Sequence, residues 1–386
     1  MIELGLPKIP GQGLCVIELK DLWQHTYVIG KTGTGKSTFL LNLALEVINQ
    51  DSACIFIEPK SSVISALNKL VDKDRLINIS FDNPLTINPL RKKGYHINDI
   101  ISEFIEVMDL LISLTASNVT STASMREIIT EAILCFSEEQ RDLEYLYYFL
   151  LDENYRAKHF KGRKPAYWEI FDNPKSRSGE KNETAKRVAT RLASFINDPR
   201  MKRIVCGENQ LDIKDIASHG KVLLVDTSRM GFDKRVYVSA LITHYVKSYV
   251  EFGRQKDRSL IVFVDEFQTA ISPLFSHLLA LSREYKVGFV LAHQDFKQIS
   301  EKVLGAVLGN VNQTITFNCG YEEANRMKNE YGQSTKANDF LGLKPFEAMV
   351  RIKSKVHKVA CFPPPKVPEV EEKTMTNFLR QGWFSA

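Results

Sequence analysis

Residues 30–37 read Gly30-Lys31-Thr32-Gly33-Thr34-Gly35-Lys36-Ser37, a complete G-x-x-x-x-G-K-[ST] loop that constrains the chain on both sides of it. Such a loop works only between a buried strand that delivers it and a helix that begins at its lysine. Both flanks are present. Tyr27, Val28 and Ile29 form an apolar run, and Phe39 to Ile48 reads as a helix. The glycines let the backbone curl so that successive N–H groups point at phosphate oxygens, and the helix adds the positive end of its dipole. The cradle is expected to comprise Gly30, Lys31, Thr32, Gly33, Thr34, Gly35, Lys36, Ser37 and Thr38, with Lys36 on the β- and γ-phosphates and the Ser37 hydroxyl on Mg²⁺. ATP with Mg²⁺ is the expected ligand.

A second signature lies more than 200 residues on, where Leu260-Ile-Val-Phe-Val264 is followed by Asp265-Glu266. An apolar strand of this kind buries itself in a sheet and presents two carboxylates at its carboxyl end, where open α/β sheets bind ligands. Asp265 is expected to hold Mg²⁺ through water together with Ser37, and Glu266 to polarise the attacking water. Other short buried-strand runs are Ala53 to Ile57, Leu76 to Ile79, Val222 to Val225, Gly288 to Ala292, Thr314 to Phe317 and Ala348 to Ile352. Alternating with helical stretches, they predict an α/β fold with a parallel-rich central sheet covered on both faces.

The middle of the chain differs. Ile97, Ile100, Ile101, Phe104, Ile105, Met108 and Leu111 recur at three- and four-residue spacing, and from there to about Ile196 strand signals are almost absent. An all-α insertion is the consequence. The expected division is residues 1–95 and 206–370 as two parts of a nucleotide-binding domain, 96–205 as the insertion, and 371–386 as a C-terminal tail. Pro-rich punctuation at Phe362 to Pro365, then the apolar Phe378, Leu379, Trp383 and Phe384, suggest a segment packed across a surface.

The strand Gly288 to Ala292 leads into His293-Gln294, and the Gln294 amide is expected to reach the γ-phosphate or the attacking water. Eleven residues earlier stands Arg283, expected on a helix from Leu278 to Tyr285. From there it is a candidate to neutralise phosphoryl charge in a neighbouring subunit's site. A surface pairing with Glu284 or Glu301 is the alternative, and Arg187 and Arg191 are rival fingers.

Taken in order, Gly30 to Ser37, Val264-Asp-Glu-Phe-Gln268, Arg283 with Gly288 to Gln294, and Asn88-Pro89-Leu90 resemble the FtsK/HerA superfamily of ring-shaped DNA-pumping ATPases. Within it the pattern is most similar to the coupling proteins of type IV secretion. Glu58-Pro59-Lys60 resembles their Asp-Pro-Lys signature, with glutamate in place of aspartate, and the insertion occupies the place of their all-α domain. The resemblance covers roughly residues 20–360. It implies a RecA-like P-loop core, a hexameric ring threading single- or double-stranded DNA, and a role for Arg283 in trans. His293 departs from the small residue common before the glutamine, and the transmembrane helices common at the start of coupling proteins have no counterpart here.

Composition sets outer bounds. With 386 residues, 44% hydrophobic and 25% charged, the chain is ordinary for soluble protein and long enough for two units. Its six cysteines form no C-x-x-C pair, so no zinc or disulfide framework is indicated. No apolar run approaches the roughly 20 residues needed to span a bilayer. A cytoplasmic setting is expected, with recruitment to a membrane complex, secretion or packaging machinery coming through partners. Residues 155–203 hold 14 Lys and Arg against 5 Asp and Glu, interleaved with Phe160, Tyr167 and Trp168. That mixture suits a phosphate backbone and stackable bases, and equally a solvated surface. Ser228 to Lys234 and Thr269 to Phe275 are candidate channel loops. The leading expectation is an ATP-driven DNA translocase; the alternatives are a secretion ATPase acting on protein cargo, or a nucleotide-dependent docking switch.

Overall fold

The structure, a computed structural model, describes residues 1–115, 123–160, 164–173, 179–252, 258–270 and 275–366. Within them one sheet carries β1 (Ile2–Pro7), β2 (Cys15–Ile17), β3 (Thr26–Ile29), β4 (Ala53–Glu58), β5 (Leu76–Ile79), β6 (Val222–Asp226), β7 (Leu260–Asp265), β8 (Val287–His293), β9 (Gln313–Thr316), β10 (Glu347–Ile352) and β11 (Lys355–Ala360). Their spatial order is β2-β1-β11-β10-β9-β3-β8-β7-β4-β6-β5. From β9 to β5 every pairing is parallel, while β10, β11, β1 and β2 extend the sheet antiparallel.

The parallel strands are continuous apolar runs because both faces are covered, and every residue of β3, β4, β7 and β8 is buried. Alternate side chains enter two separate cores. Val28, Phe56 and Phe263 face the helices Lys36–Asn49 and Ser62–Leu70, whereas Ile29, Ile57 and Val264 face Ile97–Thr115 and Phe232–Phe252. Phe56 stacks on Phe263 across β4 and β7, ring centroids 5.3 Å apart. The fold is thus the expected α/β architecture. The sequence runs named above for β3 to β10 all form strands; β1, β2 and β11 lay outside them.

Between β5 and β6 the described chain is helical, from Ile97–Thr115 to Ile213–His219. The stripe from Ile100 to Leu111 is core, buried with the helix Phe232–Phe252. Asn88 explains its own motif: its side-chain amide donates to the carbonyls of Arg141 at 3.0 Å and Gly207 at 2.8 Å, its Oδ1 accepts from Leu90 N–H, and its carbonyl accepts from the Tyr245 hydroxyl. One buried side chain therefore fastens the start of the helical excursion to its middle, at Arg141, and to its far end, at Gly207.

The basic stretch is less available than its composition suggested. Trp168 is fully buried edge-on against Phe149, and Phe160 and Tyr167 pack on the same core, so these rings are interior rather than stacking platforms. Arg156 and Lys164 pair with Asp172, Arg200 and Lys234 with Asp198, and Lys202 with Glu144. Lys161, Arg163, residues 271–274 of one candidate loop and the tail beyond 366 lie outside the described residues.

Candidate functional site

Parallel pairing brings the carboxyl ends of β4, β7, β8 and β3 to one edge. The register sets Ile57 beside Val264, Asp265 beside Ala292, and His293 beside Ile29. Loops leaving these ends must converge, and they do so around Gly30 to Ser37. Gly33 and Gly35 take φ of 80° and 105°, a left-handed region that side chains resist. At Gly30 the reason is space: a Cβ there would come within 2.6 Å of the Phe317 Cβ. Three bonds pin the loop, from Lys31 N–H to the Asn318 carbonyl at 2.9 Å, from the Thr34 hydroxyl to the Lys31 carbonyl at 2.8 Å, and from Phe346 N–H to the Thr34 carbonyl at 2.8 Å.

The helix Lys36–Asn49 begins at the lysine. Its ammonium lies 3.3 Å from Asp265 Oδ1, with both side chains at least nine-tenths buried, and makes no hydrogen bond. A buried ammonium that is paired with one carboxylate yet makes no hydrogen bond keeps its donors for a second anion, so the cradle fits a phosphate chain. Ser37 and Thr38 are half-buried in the first turn. The described residues hold no cluster of three acids, histidines or cysteines for a metal. Mg²⁺ needs none, since it is commonly held by one or two carboxylates and the substrate's phosphates; Asp265 and Ser37 supply that donor set.

Glu266, next after Asp265, sits at φ 53°, a strained position for a side-chain residue. Its carboxylate accepts from the Gln294 amide, from the Gln268 amide at 3.0 Å and from Lys60 Nζ at 3.5 Å. Burial alone would raise its pKa, but the Lys36 charge, the Gln268 bond, Lys60 and Gln294 together hold it below the ordinary carboxylate value. Gln294 in turn accepts from the Thr32 hydroxyl at 2.6 Å. A continuous chain therefore runs from the phosphate loop through Gln294 to Glu266.

His293 is explained by its neighbour. Fully buried, it donates from Nδ1 to the Asp295 carbonyl at 3.1 Å and accepts at Nε2 from the Tyr27 hydroxyl on β3. Burial chiefly, then the Lys36 charge, push its pKa down to about 3. It is a neutral spacer holding the Gln294 backbone against β3.

Glu58 does a different job from the carboxylates around Lys36. Its oxygens accept from Val63 and Ile64 N–H, both at 3.0 Å, and from the Ser62 hydroxyl at 2.8 Å, so it closes the start of the helix Ser62–Leu70. Burial raises its pKa, opposed by those three bonds. Glu58→Ala strands two buried donors and is expected to lower stability by about 2 kcal/mol. A denaturant midpoint unchanged from the parent's would remove this capping role.

Arg283 stands elsewhere. The helix Phe275–Ser282 ends before it, and Arg283 opens a 3-10 turn, Arg283–Tyr285, leading into the amino end of β8. The helix expected to run to Tyr285 thus stops three residues early, at Ser282, and leaves Arg283 outside it. Exposed, its guanidinium donates to the Asn310 carbonyl. The length of β8, about 23 Å at ~3.3 Å per residue, separates it from the site at the strand's other end. Arg187 and Arg191 lie on the helix Gly179–Ile196, Arg187 paired with Glu183.

Gln268, Lys60 and Thr32 contribute contacts to the site that their motifs alone do not assign. The signal was position: each is a polar residue just past the carboxyl end of a parallel strand, where ligand sites gather.

This architecture is that of the P-loop α/β class. Solved structures with the same fold include the bacterial conjugative coupling protein TrwBdeltaN70, in its unbound monoclinic form, at a TM-score of 0.67 and 13% identity over 90% of this chain and 86% of that one. The plasmid coupling protein TrwB in complex with ADP and Mg²⁺ matches at 0.68 and 12% identity over 95% of each chain. VirB4 of Thermoanaerobacter pseudethanolicus matches at 0.66 and 16% identity, over 94% and 97%. No protein-family model matches the sequence, and neither does any curated protein.

Proposed function

We propose that this chain is an ATPase of the coupling-protein type within the FtsK/HerA superfamily, driving DNA through a homohexameric ring. The observation that carries the reading is the chain from Thr32 through Gln294 to Glu266 beside the Lys36–Asp265 pair. A protein that only binds nucleotide has no use for a second carboxylate, kept ionised and tied to the phosphate loop.

In the proposed reaction the Glu266 carboxylate accepts a proton from water as it attacks the γ-phosphorus, and Lys36 balances the charge that moves onto the β-phosphate. Asp265 and Ser37 would hold Mg²⁺, which when bound would supply further neutralisation of the phosphates. Gln294 touches both loop and base, so loss of the terminal phosphate is felt at Glu266 through Thr32. The likeness in fold to the conjugative coupling protein TrwB supports the coupling-protein reading, and DNA as cargo rests on the motif resemblance.

Ser228 to Lys234, past the carboxyl end of β6, is the better channel-loop candidate. Arg229 is exposed and, among the described residues, paired with an equally exposed Asp82, a surface pair worth little that a phosphate can replace. Lys234 is committed to Asp198 and contributes less. No described helix is long and apolar enough to cross a membrane; docking at a secretion or packaging complex is proposed to come through partner proteins.

The test is ATP turnover with and without DNA, together with DNA affinity across salt. Hydrolysis should rise on adding DNA, and affinity should fall by about 0.9 log units per log unit of salt for each duplex phosphate neutralised, or about 0.7 for single strands. Binding unchanged between about 50 and 200 mM salt, or turnover indifferent to DNA, would exclude a backbone-tracking motor.

A further inference from the structure

We infer that Phe346 is the shelf on which the base of the bound nucleotide stacks, so that this chain prefers purine over pyrimidine triphosphates; the inference rests on the nucleotide-binding role proposed above. Strand register fixes its level. Met349 of β10 lies beside Thr316 of β9, which lies beside Ile29 of β3. Three residues before Met349, and running antiparallel, Phe346 therefore stands beyond the carboxyl ends of β3 and β9, beside the phosphate loop that continues from Ile29.

The contacts agree. Phe346 N–H donates to the Thr34 carbonyl at 2.8 Å, and its ring lies so close to Gly35 that a Cβ there would meet Cδ1 at 2.8 Å. On the other side, the Phe346 carbonyl accepts from Cys361 N–H at 2.8 Å. The segment that follows passes along the phosphate-loop helix, where Asn42 donates to the carbonyls of Phe362 and Pro363, both at 3.1 Å. A phosphate chain cradled by the loop thus has, at its side, an aromatic ring fixed to that loop and a strap fixed to the same helix.

Two properties of Phe346 lack a packing explanation. It is 41% exposed, although Phe317, at the neighbouring strand end, is fully buried. It also holds φ at 64°, a left-handed conformation that a bulky residue keeps only where its surroundings impose it. The backbone bonds to Thr34 and Cys361 impose it, and the result is a ring presented to solvent at the loop's edge. Bases stack on such rings because every base has a π-face, and purines offer the larger one.

The test compares ATP, CTP and inorganic tripolyphosphate binding in the full chain by calorimetry. Phe346→Ala should weaken ATP about ten- to hundredfold, leave tripolyphosphate unchanged and erase the preference for ATP over CTP, while Phe346→Trp keeps all three. Equal losses for ATP and tripolyphosphate would mean that Phe346 only shapes the loop, and unchanged ATP affinity would mean that it touches no base; either overturns the proposal. Lys36→Ala separates this from failure of the underlying role. It should lose ATP and tripolyphosphate alike, and a parent protein that binds neither overturns the nucleotide reading itself.

Discussion

Glu266→Gln is expected to bind ATP as the parent protein does and to hydrolyse it about 10³-fold more slowly, within the range attributed to a positioned general base. The substitution keeps size and one acceptor oxygen, so the contacts from Gln268 and Gln294 can be partly re-formed, and the phosphate loop, fastened through Lys31, Thr34 and Phe346, is untouched. What disappears is the charge that accepts the proton. Because the parent carboxyl is held below its ordinary value, it stays ionised through the neutral range, and the parent's turnover should stay flat on the acid side until the pH falls below the ordinary carboxylate range. Single-turnover hydrolysis alongside equilibrium ATP binding checks both halves. Undiminished turnover in Glu266→Gln would remove Glu266 from the mechanism.

Arg283→Ala is expected to leave ATP binding intact and cut hydrolysis by about 10³-fold or more, equivalent to roughly 4 kcal/mol of transition-state stabilisation. Geometry gives the reason. Arg283 precedes the amino end of β8 and Gln294 follows its carboxyl end, so the guanidinium cannot reach its own chain's phosphate loop and is exposed where a neighbour could meet it. Mixing Arg283→Ala with Lys36→Ala subunits should restore part of the activity. A Lys36→Ala neighbour retains Arg283 and completes the intact loop of the other mutant, which a residue acting within its own chain could not do. No recovery in mixtures shown to co-assemble, or full turnover by a strictly monomeric enzyme, would sink both the finger and the ring it requires.

Much of the site lay open in the primary structure because its elements are local. Gly30 to Ser37 need only their own glycines and the adjacent strand and helix, and Asp265-Glu266 need only the apolar run before them; both stand at strand ends as that logic requires. Long-range relations were less legible. The pairing of Arg156 and Lys164 with Asp172 turned an apparent basic surface partly inward, because composition counts charges without their partners. Trp168 followed the same rule, since an aromatic ring among lysines in sequence is buried once its helix turns that face to the core.

Sequence by itself determined the parallel α/β sheet, the phosphate loop and the pair of carboxylates, because buried apolar runs of strand length and glycine-dependent turns are dictated by nearest neighbours and by period. Only tertiary structure decided the antiparallel extension by β1, β2 and β11, since β1 pairs with β11 across more than 350 residues of chain. It also decided what each polar residue at the site edge does. Glu58 and Glu266 are the same amino acid at the ends of neighbouring sheet segments. One caps the backbone donors of a helix, the other faces Lys60, Gln268 and Gln294, and only the donors surrounding a carboxylate in three dimensions tell a cap from the carboxylate proposed as base.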